Sequence, residues 1–358
     1  MAFIKSALEI AMERTKDVKI DPEAIKMENL VKEGRKFASE YLFTINFDKD
    51  KLGTKIKSYS EEQKKVFLES NDLDFAYEIP DVARFRANYF VQKRGVAAVF
   101  RVIPSKIMSV EELGLPEQVI KFTQLNRGLV LVTGPTGSGK STTLAAIIDY
   151  INRNRKDHIL TIEDPVEFVH QNKGCLINHR EIGTHTESFA AALRAALRED
   201  PDVILVGEMR DLETIELAIT AAETGHLVFG TLHTSSAAKT IDRIIDAFPA
   251  GQQAQIRTML SESLKGVVCQ QLMKRIDQPG RLAALELLFC NTAIANLIRE
   301  GKTFQIPSVM QTGKREGMQL LDTAIMDFLQ KKQISPQEAY QKANDKSVFA
   351  TFLPESQE

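Results

Sequence analysis

The chain has 358 residues and a mass of 40.1 kDa, a length that predicts two domains. Its 46 Lys and Arg nearly cancel 48 Asp and Glu, leaving −2, which argues against a protein held mainly by bulk electrostatics on nucleic acid or an acidic membrane. Hydrophobic residues at 43% leave ample material for a core, and three scattered cysteines with no CxxC pair argue against a zinc knuckle or disulfide framework and fit a reducing cytosol.

The opening stretch MAFIKSALEIAMERTKD is amphipathic and mixed in charge, unlike a signal peptide, and Phe3, Ile4, Ala7, Leu8, Ala11 and Met12 recur at helical spacing over residues 2–14. Residues 40–47 alternate in part, and 83–102 are rich in Phe, Val, Tyr and Arg with strand character. Prolines near both ends of 103–116 mark a linker. From Gly128 the pattern becomes α/β: a strand at 129–133, a glycine-rich turn, a helix at 142–152, then strands at 158–162, Val203–Val206 and Leu227–Leu232. After Phe248 the pattern predicts helices to the end, at 252–271 and 291–299, with a frayed polar tail at 344–358. The domains expected are therefore 1–102, the linker 103–116, 117–343 and the tail. Every apolar run is strand-sized, short of the ~20 residues a membrane span requires, so any membrane contact is expected to be peripheral.

The strongest local signal is Gly134, Pro135, Thr136, Gly137, Ser138, Gly139, Lys140 and Ser141, which satisfies GxxxxGK[ST] between a strand and the helix that begins with Thr142. Glycines let such a loop curl so that backbone N–H groups point at phosphate oxygens, and the helix N-terminus adds partial positive charge. Lys140 is expected to reach the β- and γ-phosphates of ATP, and Ser141 to place its hydroxyl on Mg²⁺. Two strands end in acids: 159–163 runs into Glu163 and Asp164, and 202–208 ends in Gly207 and Glu208. Ligands gather at the carboxyl ends of strands in parallel sheets, so Glu163 is assigned to polarising the attacking water and Glu208 to the Mg²⁺ shell. Helix capping is the competing reading of both acids. His226 and His233 bracket the strand at 227–232, with His233 on the phosphate side; spacing by itself reads either as a structural histidine.

Three blocks then occur in one order: GPTGSGKSTTLAAIID, HILTIEDPVEFVH and ESFAAALRAALREDPDVILVGEMRDLETIELAITAAETGHLVFGTLHT. Together they closely resemble the PilT family of type IV pilus retraction ATPases, within the secretion-type hexameric motors, over about residues 72–343. The resemblance implies an α/β architecture with a PAS-like N-terminal domain, a RecA-like P-loop ATPase domain and a helical C-terminal part. It raises Glu163, Glu208, His226 and His233 to catalytic candidates, as members of the blocks called the Asp box, Walker B and the His box. It also makes Arg84 and Arg101 candidates for arginines that neutralise γ-phosphate charge, supplied from a neighbouring domain or subunit. Arg210 is a weaker candidate, and Arg194 and Arg198 read as structural.

By implication the protein is a cytoplasmic homohexamer at the inner-membrane base of a pilus, docked on a platform protein, with room for a second retraction ATPase beside it and no nucleic-acid partner. Two departures stand out. Ala295 occupies the place of an arginine in the family's AIRNLIRE segment, and Lys-Asp-Val-Lys-Ile at 16–20 replaces a Ser-Asp-Leu-His-Leu strand. An assembly or type II secretion motor is the nearest alternative, disfavoured by the missing tetracysteine insertion; a low-turnover, nucleotide-gated regulatory paralogue is the other.

Overall fold

The structure is a computed structural model that describes residues 61–79, 83–103 and 106–353. The chain divides into two compact units, Met1–Pro104 and Ser105–Glu358. The helix expected at 2–14 and the strands at 16–20 and 40–47 lie outside the described residues.

In the first unit, helix α1 (Glu61–Ser70) precedes an antiparallel sheet ordered β1 (Asp72–Ile79), β2 (Ala83–Gln92), β3 (Gly95–Ile103). The β2–β3 hairpin closes over two residues, and Gly95 takes the positive φ (122°) at its exit. Alternation sorts the two faces. One carries Phe85, Tyr89 and Phe100, with Tyr89 and Phe100 packed edge-on at 5.8 Å. The other carries Arg84, Arg86 and Arg101, and Arg86 is tied to Asp74 at 2.6 Å.

The second unit is built on a seven-stranded sheet in the order β10-β9-β4-β8-β7-β5-β6. Its strands are β4 (Gly128–Thr133), β5 (His158–Glu163), β6 (Leu176–Glu181), β7 (Val203–Val206), β8 (Leu227–Leu232), β9 (Leu264–Lys274) and β10 (Arg281–Phe289). All pair in parallel except β10, which runs antiparallel to β9. Helices cover both faces, as a parallel sheet requires. On one face Val130, Val132, Leu205 and Phe229 pack on Leu144, Ile147, Ile148 and Ile151 of α2 (Lys140–Asn154), whose apolar residues fall on one stripe.

On the other face Leu129, Leu131, Ile162 and Val206 meet α3 (Phe189–Ala196), α4 (Leu212–Glu223), α5 (Ala237–Asp246), α6 (Ala250–Ser263) and α7 (Thr292–Arg299). Ile294 and Ile298 of α7 are fully buried, so the stripe around Ala295 packs despite the lost arginine. After α8 (Ile306–Thr312), the helices α9 (Leu321–Gln330), α10 (Pro336–Lys342) and α11 (Lys346–Ala350) enclose a separate small core with Met273 of β9 and Ala284 of β10.

Five features differ from the sequence reading. The helix expected at 252–271 ends at Ser263, and β9 follows; its residues are buried on both faces, so no period-2 alternation marks it as a strand. β10 also stands where only helices were expected, and is hidden for the same reason, with 284–288 buried in unbroken succession. β6, an edge strand reading Leu-Ile-Asn-His-Arg-Glu, was also hidden by its polarity. The expected linker is only partly one, because Val110 and Leu115 are buried in the core of the second unit. Within the expected frayed tail, α11 buries Phe349 completely, and one aromatic anchor suffices to dock a polar segment.

Candidate active site

The carboxyl ends of β4, β8, β7 and β5 lie side by side, and at or just beyond them come the glycine loop, His233, Glu208 and Glu163 in that order. β4 and β8 end level, with Thr133 opposite Leu232, which sets the loop from Gly134 beside His233. Ile162 pairs with Val206, so Glu163 and the Gly207–Glu208 pair also leave the sheet at similar height.

The loop from Gly134 to Gly139 is a tight bend that its glycines make possible. Gly137 (φ 76°) and Gly139 (φ 88°) hold left-handed conformations. A side chain on Gly134 would collide with the Gln270 carbonyl, and one on Gly139 with the Gln270 amide. Pro135, Thr136 and Gly137 are exposed at the tip, while Ser138 is buried with no hydrogen-bond partner for its Oγ. Ser141 and Thr142 occupy the first turn of α2, which opens at Gly139 with no side-chain cap. Uncapped N–H groups at a helix start are anion receptors, and a phosphate chain fits that need.

Lys140 folds back over this loop, donating to the carbonyls of Gly134 (2.9 Å) and Pro135 (3.2 Å). Its Nζ also lies 3.3 Å from Nδ1 of His233, whose Nε2 lies 3.0 Å from Oε1 of Glu208. An ammonium only donates, so this network assigns Nδ1 as acceptor and the proton to Nε2, which donates to the carboxylate. Arg210 Nε completes the line at 2.5 Å from the same Glu208 oxygen. Burial lowers the Lys140 pKa, against the pull of Glu208 and Glu167. For Glu208 burial acts upward, but Arg210 and His233 together outweigh it and hold the carboxyl below its ordinary range.

Glu163 ends β5 against the backbone of Gly207, where a Cβ would come within 3.2 Å of the Glu163 Cα. Its Oε2 accepts from the Glu167 N–H at 3.4 Å. A cis Asp164–Pro165 peptide follows, and the loop is then pinned to α2 by Asn152 and Asp149. Among the described residues no three His, Cys, Asp or Glu side chains converge into a metal cage. The hard oxygen donors present, a serine hydroxyl and a carboxylate, match how Mg²⁺ is held when phosphates and water complete its shell.

His226 does not come to this place: it stands at the opposite end of β8, where its Nδ1 is 2.9 Å from the Ala221 carbonyl at the end of α4. Arg84 and Arg101 belong to the first unit, on β2 and β3. Arg194 is paired with Glu213. Two residues of the site were passed over in the sequence. Glu167, one helical-turn spacing beyond Glu163, bears electrostatically on Lys140. Gln270 underlies the loop, and its signal was a glutamine inside the apolar run Val-Val-Cys-Gln-Gln-Leu-Met. A cavity of about 550 Å³ lined by Thr123, Tyr150 and Arg155 lies at the far end of α2 and has no part in the site.

The family model described as "Type II/IV secretion system protein" matches residues 71–348. The chain belongs to this family. It is 57% identical over 297 residues to a twitching motility protein of Neisseria gonorrhoeae, covering 83% of this chain and 79% of that relative. It is 59% identical over 284 residues to the type IV pilus retraction ATPase PilT of Pseudomonas aeruginosa, covering 79% of this chain and 82% of PilT. A crystal structure of the pilus retraction motor PilT with bound ADP aligns at a TM-score of 0.77 with 49% identity, covering 84% of each chain. The second unit thus has the RecA-like ATPase fold of the secretion family, followed by its helical C-terminal part.

Proposed function

We propose that this protein hydrolyses ATP to ADP and phosphate as a Mg²⁺-dependent ring motor of six subunits that retracts a type IV pilus. The observation that carries the reading is the hydrogen-bonded line from Lys140 through His233 to Glu208, set at the strand ends beside a glycine loop. Likeness to PilT supplies the retraction part of the reading.

In this mechanism the loop N–H groups and Lys140 bind the β- and γ-phosphates, so charge is balanced where it develops. Glu163 orients and polarises the attacking water. His233 reads the terminal phosphate: moving Lys140 onto phosphate frees Nδ1, and that change passes through Nε2 to Glu208. Ser141 and Glu208 would hold Mg²⁺, which would supply neutralisation of phosphate charge. Arg84 and Arg101 are proposed to act from a neighbouring subunit, and His226 to serve at a subunit boundary rather than at the cradle of its own chain. We also assign the first unit a PAS-like fold, place the ring peripherally on the inner membrane at the pilus base, and name a platform protein as its anchor.

Steady-state hydrolysis by purified protein tests the chemistry. Glu163→Gln is expected to lower kcat about 100-fold or more while ATP still binds, and Lys140→Ala to lose binding as well. Parent-like turnover in either variant would falsify the assignment. A deletion strain tests the output: surplus surface pili with lost twitching fit retraction, whereas bald cells point to an assembly motor.

A further inference from the structure

Gln270 lies on β9, beside the strand that feeds the glycine loop, and is only 2% exposed. Its neighbours in the alternation, Val268 on the same face and Cys269 on the other, belong to the two apolar cores. An apolar residue would satisfy the packing there, and a buried amide with an idle end costs stability. Here neither end is idle. Nε2 donates to the Ser138 carbonyl at 2.7 Å, and Oε1 accepts from the Thr143 hydroxyl at 2.7 Å. The Gln270 backbone carbonyl also fills the space that a side chain on Gly134 would need.

The bond to Ser138 has a directional consequence. A trans peptide is planar, with its C=O and N–H pointing in opposite directions. Holding the Ser138 carbonyl toward β9 therefore turns the Gly139 N–H away from β9. The next carbonyl, of Gly139, is held by the Thr143 N–H at 3.0 Å, so the peptides on both sides of Gly139 are fixed. We propose that Gln270 is a positioning residue for the reaction: it aims the Gly139 N–H at bound phosphate and keeps the loop in its binding shape before nucleotide arrives. This rests on the nucleotide reading above and adds to it a residue more than 120 positions away in sequence that sets phosphate affinity.

The test is ADP affinity of the full-length protein, read beside ADP-induced protection of residues 134–142 from hydrogen exchange. Gln270→Met keeps the volume but has neither donor nor acceptor of comparable strength. It is expected to weaken ADP about tenfold and to remove most of that protection, while the variant stays folded by circular dichroism. Gln270→Glu keeps the acceptor for Thr143 but sets a carboxylate against the Ser138 carbonyl. It is expected to bind poorly at pH 8.5 and to recover relative to the parent toward pH 6, as protonation restores a donor. That pH trend is one a merely structural glutamine would not produce. ADP binding by Gln270→Met within twofold of the parent overturns the proposal. If that variant does not fold, parent-like binding by Gln270→Glu at pH 8.5 overturns it instead. A parent that binds no ADP at all would sink the nucleotide reading itself, a result distinct from either.

Discussion

His170 shows how much one side chain near the site can report about solution conditions. It sits in the loop between β5 and β6 that also carries Glu167, 6% exposed, with its ring stacked on His179 at 5.9 Å and its Nδ1 without a hydrogen-bond partner. Burial first, and then the charge of His179, press its pKa from 6.5 down to about 4; Asp149 opposes and Lys173 reinforces the shift. The unfolded ring takes a proton near pH 6.5 and the folded ring only near pH 4, so between these values the unfolded chain holds more protons. Stability is therefore complete above about pH 6.5 and is lost as the pH falls toward 4, by an amount on the order of 3 kcal/mol. His170→Phe keeps the stacked ring and cannot titrate. Urea midpoints at pH 7.5 and pH 5 are expected to differ less in this variant than in the parent; equal differences would show that the histidine charges freely in the fold.

Among the elements, the joint between α2 and the loop after β5 fixes the far end of that loop, where the chain enters β6. Asn152 is fully buried near the end of α2 and makes three bonds to the loop: to the Gln171 carbonyl (2.8 Å), the Lys173 N–H (3.0 Å) and the Cys175 N–H (3.3 Å). Asp149, one turn earlier, adds ion pairs to Lys173 and Arg153 at 2.6 and 2.9 Å. Because α2 begins at Lys140, the phosphate loop and the acid-bearing loop are fastened to opposite ends of one rigid rod, about 22 Å long at 1.5 Å per residue. Asn152→Ala strands three backbone groups, and a loss of about 3 kcal/mol is expected, visible as a lower urea midpoint. Glu163 is held at the other end of that loop, by β5 and the Glu167 N–H, so turnover and ADP binding of the folded variant are expected to stay near the parent values. A loss of turnover in folded protein would mean that the joint also sets the position of Glu163.

At the scale of the molecule, the site residues described above all belong to the second unit. The arginines that the family resemblance singles out are carried by the first unit, and the proposal is that they act on a neighbour's nucleotide. Under that proposal the subunits of a ring depend on one another. Mixing parent protein with Lys140→Ala protein, allowing exchange, and measuring turnover tests this dependence. With one third of the subunits replaced, activity is expected to drop well below two thirds of the parent value. A drop in simple proportion would show that the subunits fire independently.

What the sequence determined by itself follows from local chemistry. A glycine loop between a buried strand and a helix is a short-range pattern, so Gly134 through Ser141 could be read directly. The acids Glu163 and Glu208 could be read because each ends a recognisable apolar strand. The tertiary structure decided what depends on strand order. His233 stands between Lys140 and Glu208 because β8 lies between β4 and β7. Gln270 reaches the loop because β9 flanks β4 on the other side. His226, equally prominent in sequence, goes to the far end because six strand residues separate it from His233. Strand order is set by how two apolar faces bury against helices distant in sequence. A periodicity read along one segment carries no information about which strand will lie beside it.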